Sequence, residues 1–200
     1  MHQIFAKYFS SKTKAYCTLI LLLICCFGCE TNNLKNSLGI DCNKENSFQN
    51  LHKIRDTKET FSCELPNNWK REFFLDNYTS RLYAADTTKE LDDAYIFDFG
   101  HYQSKIDFNK EFDSKITQEI THLPKGKISN SGKITFKEKE AYFVRYSFES
   151  MDITSNNIQV YFKNQNKSFY KLKIDVYGDK NIETRLCKAL DLFNKTSLNE

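Results

Sequence analysis

The stretch Ser168-Phe169-Tyr170-Lys171-Leu172-Lys173-Ile174-Asp175-Val176-Tyr177 alternates with period two and gives Tyr170, Leu172, Ile174 and Val176 one common side. Such alternation marks a strand with one face on a core. Gly178-Asp179 closes it, and the period then changes: Ile182, Leu186, Ala189, Leu190 and Phe193 form an apolar stripe at helical spacing. Upstream, three further strands are expected over 128–136, 141–149 and 157–164, with Gly132 bending the first. Asn164-Gln165-Asn166-Lys167 is a hairpin-like connection into the quoted strand. Short connections between neighbouring strands make this half of the chain an antiparallel meander.

Further toward the N-terminus, Asp107 is expected to cap a helix in which Phe108, Phe112, Ile116, Ile120 and Leu123 recur at helical spacing until Pro124 and Gly126 stop it. Two strands precede it, over 78–85 and 94–102, joined by the charged loop from Asp86 to Asp93. In the second of these, Tyr95, Phe97 and Phe99 fall on one side and Ile96, Asp98 and Gly100 on the other. Phe61, Cys63 and Leu65 alternate with Ser62 and Glu64 in a short first strand, which Pro66-Asn67-Asn68 ends. Trp69 is expected to pack over that end. Three strands, a helix, four strands and a helix give an α+β domain with a mainly antiparallel sheet.

The first 28 residues read as an address. Lys7, Lys12 and Lys14 precede an apolar or small run from Ala15 to Gly28 without an acidic residue, the layout of a secretory signal peptide. Its apolar core is shorter than the roughly 20 residues that cross a bilayer as a helix. Cys26-Phe27-Gly28-Cys29 resembles a bacterial lipobox, relaxed at Cys26 and Phe27, with cleavage before Cys29 and lipid on its sulfur. The alternative is an ordinary signal peptide with an incidental Cys29. A lipidated Cys29 fixes a protein at a membrane without a spanning helix. The expected place is an outer membrane, facing the periplasm.

Without the leader, 26 basic residues stand against 26 acidic ones, because three of the 29 basic residues of the whole chain lie in it and none of the 26 acidic ones does. No net positive footprint for nucleic acid remains. Residues 29–59 are polar and rich in Asn and Lys, with scattered Leu34, Leu38, Ile40 and Leu51, and read as a lipidated, flexible tether. A short helix is expected within it over 47–55. Residues 60–197 then form one domain.

With Cys29 lipidated, Cys42, Cys63 and Cys187 remain, so at most one internal disulfide forms. Cys63 lies on the apolar face of its strand as a small hydrophobe, which leaves Cys42 with Cys187 as the candidate pair. Neither a C-x-x-C motif nor a nearby histidine supports a metal site, and no cofactor is expected.

Little else points to chemistry. His2, His52, His101 and His122 are isolated in sequence, and the zinc-protease motif His-Glu-x-x-His is absent. His101, with Asp98, is the best candidate for lining a pocket; the bland reading is a solvated strand end. Asn130-Ser131-Gly132 is a bend and no nucleophile elbow. Asp86, Glu90, Asp92 and Asp93 cluster, but in a loop expected to be solvated. Asp86-Thr87-Thr88 also resembles an O-glycosylation signal. Aromatic residues are abundant, 29 of 200. Tyr83, Tyr161 and Tyr177 fall opposite their strands' apolar sets, so they are recognition side chains or are covered by helices.

Phe61-Ser62-Cys63-Glu64-Leu65-Pro66 followed by Trp69-Lys70, the block Glu140-Ala141-Tyr142-Phe143-Val144, the strand Tyr170-Lys171-Leu172-Lys173-Ile174 and the helix after Gly178 together resemble PsbP-like domains. That superfamily holds an extrinsic photosystem protein, a Ran-binding nuclear import factor and exported bacterial lipoproteins. The resemblance implies an α/β/α sandwich used for docking and transfers no catalytic residue. Fold alone does not assign function. The expectation is a non-catalytic binding or assembly module in the cell envelope with an envelope protein as partner; the alternative is a small-ligand receptor or enzyme with a site assembled from distant residues.

Overall fold

The computed structural model describes residues 33–42, 47–164 and 167–199; the expected leader over residues 1–28 and Cys29 lie outside them. Among the described residues, α-helices run over Asn33–Leu38 (α1), Lys110–Thr121 (α2) and Ile182–Asn194 (α3). The strands of the described residues follow one another as Leu51–Arg55 (β1), Phe61–Pro66 (β2), Lys70–Leu75 (β3), Thr79–Ala85 (β4), Tyr95–Tyr102 (β5), Lys127–Phe136 (β6), Lys139–Ser150 (β7), Ile153–Lys163 (β8), Phe169–Tyr177 (β9) and Thr196–Leu198 (β10). β3 to β9 form an antiparallel sheet in the order β3-β4-β5-β9-β8-β7-β6. β1-β2-β10 form a second, small antiparallel sheet. The pairing of β5 with β9 joins the two halves of the chain, with Phe97 opposite Ile174 and Phe99 opposite Leu172.

Alternation places the large core on one face of the seven-stranded sheet. Phe97, Phe99, Leu172 and Ile174 pack there against Phe61, Cys63 and Leu65 of β2 and Leu186, Ala189, Leu190 and Phe193 of α3. Each such Phe or Leu, once fully buried, contributes on the order of 1.5–3 kcal/mol relative to exposure. The opposite face carries a smaller core, in which Ile116 and Ile120 of α2, with Phe108, cover Tyr142, Val144, Tyr146 and Tyr161. Helix, sheet and a mixed third layer make the α+β sandwich.

The carboxylate of Asp56, 2% exposed, ties the small sheet to the large one. It accepts from the Phe61 amide at 2.8 Å, the Thr60 hydroxyl at 3.0 Å and the Ser80 hydroxyl of β4 at 2.5 Å. Cys63 is free and buried, and burial pushes its thiol up to about 12, so it is a core side chain rather than a nucleophile.

Four expectations change. The segment 29–59 is not a tether throughout: α1 and β1 belong to the fold, and Leu34, Leu38, Ile40 and Ile54 are buried in the large core. Scattered apolar residues suffice because tertiary contacts bury them, α1 packing on β6 and β7 and β1 pairing along β2. The helix expected over 47–55 is strand β1, paired along its length with β2. Two further strands escape the alternation pattern: β10, only 3 residues long, and β3, which is exposed on both faces. Finally, α2 is capped by Asn109, whose Oδ1 accepts from the Phe112 amide at 2.9 Å. Asp107 instead pairs with Lys105 at 2.7 Å.

Cys42 and Cys187 form a disulfide, with Cα atoms 5.5 Å apart. It fastens the segment after α1 to the middle of α3.

Candidate functional site

α2 shields the β6–β8 half of its face, and the half built by β4, β5 and β9 carries a polar and aromatic array. Register sets its rows. Tyr83 lies opposite Asp98, Asp98 opposite Lys173, and Lys173 opposite Gln159; one row over, Arg81, Gly100, Lys171 and Tyr161 are aligned. Arg81 grips Asp98 with two bonds, Nε to Oδ1 and Nη2 to Oδ2, both 2.6 Å. Such a bidentate pair fixes both side chains. Lys173 Nζ lies 2.9 Å from the Asp175 carboxylate. Lys171 sits 5.3 Å from the centre of the Tyr161 ring, and burial draws its ammonium below the ordinary value. The Tyr161 hydroxyl donates to Gln159 at 2.7 Å, and the Gln159 amide donates to the Tyr146 hydroxyl at 2.5 Å. Burial raises Asp175, with Lys173 opposing it, and Asp175 Oδ1 and the facing Asn157 Oδ1 accept no hydrogen bond.

The tyrosines divide between the two readings. Tyr161, 6% exposed, lies under α2, while Tyr83 and Tyr177 beyond the helix are half-buried. Burial, the leading cause in each, raises Tyr83, Tyr95, Tyr102, Tyr146, Tyr161 and Tyr177, and takes Tyr142, which also donates to Asp113, up to about 12. A pKa raised on folding gives stability that is complete below the unfolded value, about 10 for tyrosine, and is lost as pH rises through the folded value. Alkaline titration followed by ultraviolet absorbance is therefore expected to show these phenols ionising together with loss of the circular dichroism signal. Gradual ionisation near pH 10 with the fold intact would contradict the burial described.

Asp98 and His101 do not share a pocket. Three residues apart on β5, they point to opposite faces of the sheet. His101 faces the large core, its ring 4.8 Å from that of Tyr170, and burial lowers its imidazole while Asp56 pulls the other way.

The acidic loop between β4 and β5 borders a cleft of about 840 Å³ at the start of α3. Its floor is aromatic: Trp69 stacks on Tyr95 at 6.0 Å, and Phe48 meets both edge-on at 5.3 and 5.2 Å. Gly178 lets the loop approach α3, since φ is +82° and a Cβ there would lie 2.0 Å from the Asp92 carbonyl oxygen. Among the charges lining the cleft, Lys89 and Arg185 both pair with Asp93. Arg185 donates to the Tyr177 and Ala94 carbonyls at 2.6 and 3.2 Å and lies 3.4 Å from Asp93; Asp86 accepts from Thr88. Among the described residues, no three His, Cys, Asp or Glu side chains come together as metal ligands, and no helix is long and apolar enough to cross a membrane.

The sequence reading missed the sheet's exposed margin. β3 is an edge strand paired on one side with β4. Phe73, Phe74 and Leu75 are 46%, 49% and 52% exposed, and Tyr78 in the following turn is 70% exposed. The turn is firm: Asp76 Oδ1 accepts from the Tyr78 and Thr79 amides, both at 2.7 Å, and Lys58 donates to the Asp76 carbonyl at 2.7 Å. The Arg81 guanidinium lies 5.8 Å from the Phe74 ring, so the apolar edge continues into the polar array. The available signal was Phe73-Phe74-Leu75 ahead of Asp76-Asn77, an apolar run closed by turn residues.

No family model matches the sequence, and no curated protein matches it. Solved structures do. The cyanobacterial PsbP (CyanoP) of Synechocystis sp. PCC 6803 aligns over 80% of this chain and 99% of its own, with TM-score 0.52 and 10% identity. The chain has the PsbP-like fold. Two other structures are similar: the Ran-binding protein Mog1p of Saccharomyces cerevisiae, with TM-score 0.48, 7% identity and coverage of 74% of this chain and 95% of its own, and LpqN of Mycobacterium tuberculosis, involved in cell envelope biogenesis, with TM-score 0.45, 12% identity and coverage of 75% and 91%. At such identities the PsbP-like likeness speaks for architecture and for no activity.

Proposed function

We propose that this PsbP-like protein is an exported lipoprotein, held by lipid on Cys29 at an outer membrane facing the periplasm, that binds an extended segment of an envelope protein along β3. One observation carries the docking reading: β3 is an edge strand whose Phe73, Phe74 and Leu75 are about half exposed, while the core behind it is closed. An open edge offers backbone donors and acceptors to an added strand, and contiguous exposed apolar side chains mark interaction sites. The role is read as non-catalytic: on the neighbouring face Arg81 is paired with Asp98 and Lys173 with Asp175, while Lys171 lies over the Tyr161 ring. The lipoprotein part rests on the run from Lys7 to Cys29.

The test compares the proteins recovered, after cross-linking in intact cells, with the wild type and with Phe73→Glu/Phe74→Glu. One protein recovered with the wild type and reduced about tenfold or more in the variant is the expected result. An unchanged recovery, or a second copy of this chain as the only adduct, overturns it. The second reading, a small-ligand receptor, draws on the cleft floored by Trp69 and Tyr95; the engagement of Arg185 by Asp93 and by the Tyr177 and Ala94 carbonyls favours the edge.

A further inference from the structure

We propose that the β6 edge of the large sheet, centred on Lys127 and Lys133, lies against the anionic phospholipid headgroups of the membrane that holds the protein. This rests on the lipid-tether reading above and adds an orientation to it. Only residues 30–32 separate Cys29 from Asn33, where α1 begins. Four residue steps reach at most about 14 Å. α1 is fastened to β6 and its neighbour: the Asn130 side-chain amide donates to the Ser37 carbonyl, and Arg145 of β7 donates to those of Leu38 and Gly39 at 3.3 and 3.4 Å. A bilayer holding the acyl chains of Cys29 therefore lies within that short reach of α1, on the β6 side of the molecule. β3, at the other margin of the seven-stranded order, is roughly 29 Å away across the sheet at the usual strand spacing.

Charge selects the same edge. Between Lys125 and Lys139 the chain carries five lysines and one acidic residue, Glu138, although the mature sequence as a whole is balanced. Lys125 is engaged by Glu149 at 2.6 Å, and Lys137 donates to the carbonyls of Asn194 and Thr196. Lys127 and Lys133 are exposed and flank Asn130, the side chain that holds α1, along the edge strand; opposite Ser147 and Tyr142 in the register, they stand on its two faces. Each lysine brought to an anionic surface strengthens association roughly fivefold, enough to orient a domain already confined by lipid. The two margins of the sheet then differ in role: β6 faces headgroups, and the apolar β3 faces away.

The test uses the lipidated protein reconstituted into phosphatidylglycerol-containing vesicles, with a fluorophore at Ser129→Cys on β6 or at Asn77→Cys in the β3–β4 turn, and nitroxide-labelled headgroups as quencher. Quenching at least about threefold stronger at 129 than at 77, reduced toward the level at 77 by Lys127→Glu/Lys133→Glu, is expected from lysines that each contribute severalfold. Equal quenching at both positions, stronger quenching at 77, or no effect of the charge reversals overturns the orientation. Palmitate labelling and membrane fractionation of unlabelled wild type and Cys29→Ser, run alongside, distinguish the two failures. If Cys29→Ser fractionates and labels like the wild type, the tether reading itself falls, and the orientation with it.

Discussion

Replacing Cys42 and Cys187 by serine is expected to lower the unfolding free energy by about 3–5 kcal/mol. The disulfide joins residues 145 apart in sequence, and in the chain-entropy account cross-linking a loop of that order restricts the unfolded ensemble by close to 5 kcal/mol, with measured losses usually smaller. Its location adds a local effect. Cys187 is buried in α3 beside Leu186 and Leu190, and Cys42 follows Ile40, which is buried in the same core. Without the bond, the segment carrying α1 keeps its burial of Leu34, Leu38 and Ile40 but loses its covalent stop. Denaturant unfolding of the wild type under oxidising and reducing conditions, beside the double variant, checks this. A midpoint that does not move would contradict the placement of that segment.

A second large effect separates core aromatics from edge aromatics. Phe97 is fully buried, with its ring 6.5 Å from that of Phe99 and 6.2 Å from that of Phe193. Phe97→Ala leaves a cavity between sheet and α3, with an expected cost of about 3–5 kcal/mol. Phe73→Ser and Phe74→Ser remove side chains that are about half exposed, and each is expected to change stability by only about 0.5 kcal/mol. Thermal or denaturant unfolding of the three variants provides the comparison. Should the two edge substitutions cost as much as Phe97→Ala, those phenylalanines belong to the fold, and the surface offered to a partner disappears.

The sequence made the middle of the sheet legible because alternation there has one cause. β5, β8 and β9 each put an apolar set on the large core, and β9 reads from Tyr170, Leu172, Ile174 and Val176 alone. The helices were legible for the same reason at another period, although the cap of α2 moved to Asn109 because its oxygen, and not that of Asp107, reaches the Phe112 amide. The margins were not legible. β3 has exposed residues on both faces, so nothing imposes period two on Lys70-Arg71-Glu72-Phe73-Phe74-Leu75. α1 and β1 sit in polar sequence, and their few buried leucines and isoleucines are fixed by tertiary contacts that no local pattern announces. The candidate site suffered most. Asp98 and His101 were paired by nearness in sequence, which on a strand sends side chains three apart to opposite faces, whereas the exposed surface lies on an edge strand that periodicity does not detect.

Residue-resolved photocross-linking in living cells reads out whether β3 docks a partner. A photoreactive side chain is placed at Phe74 on the β3 edge, or at the exposed Glu119 of α2 as a control. One reproducible protein adduct is expected from position 74, absent from position 119 and, with the proposed lipid tether on Cys29, lost in Cys29→Ser. The same adducts from both positions, or none from position 74 while the protein is membrane-bound, would contradict it.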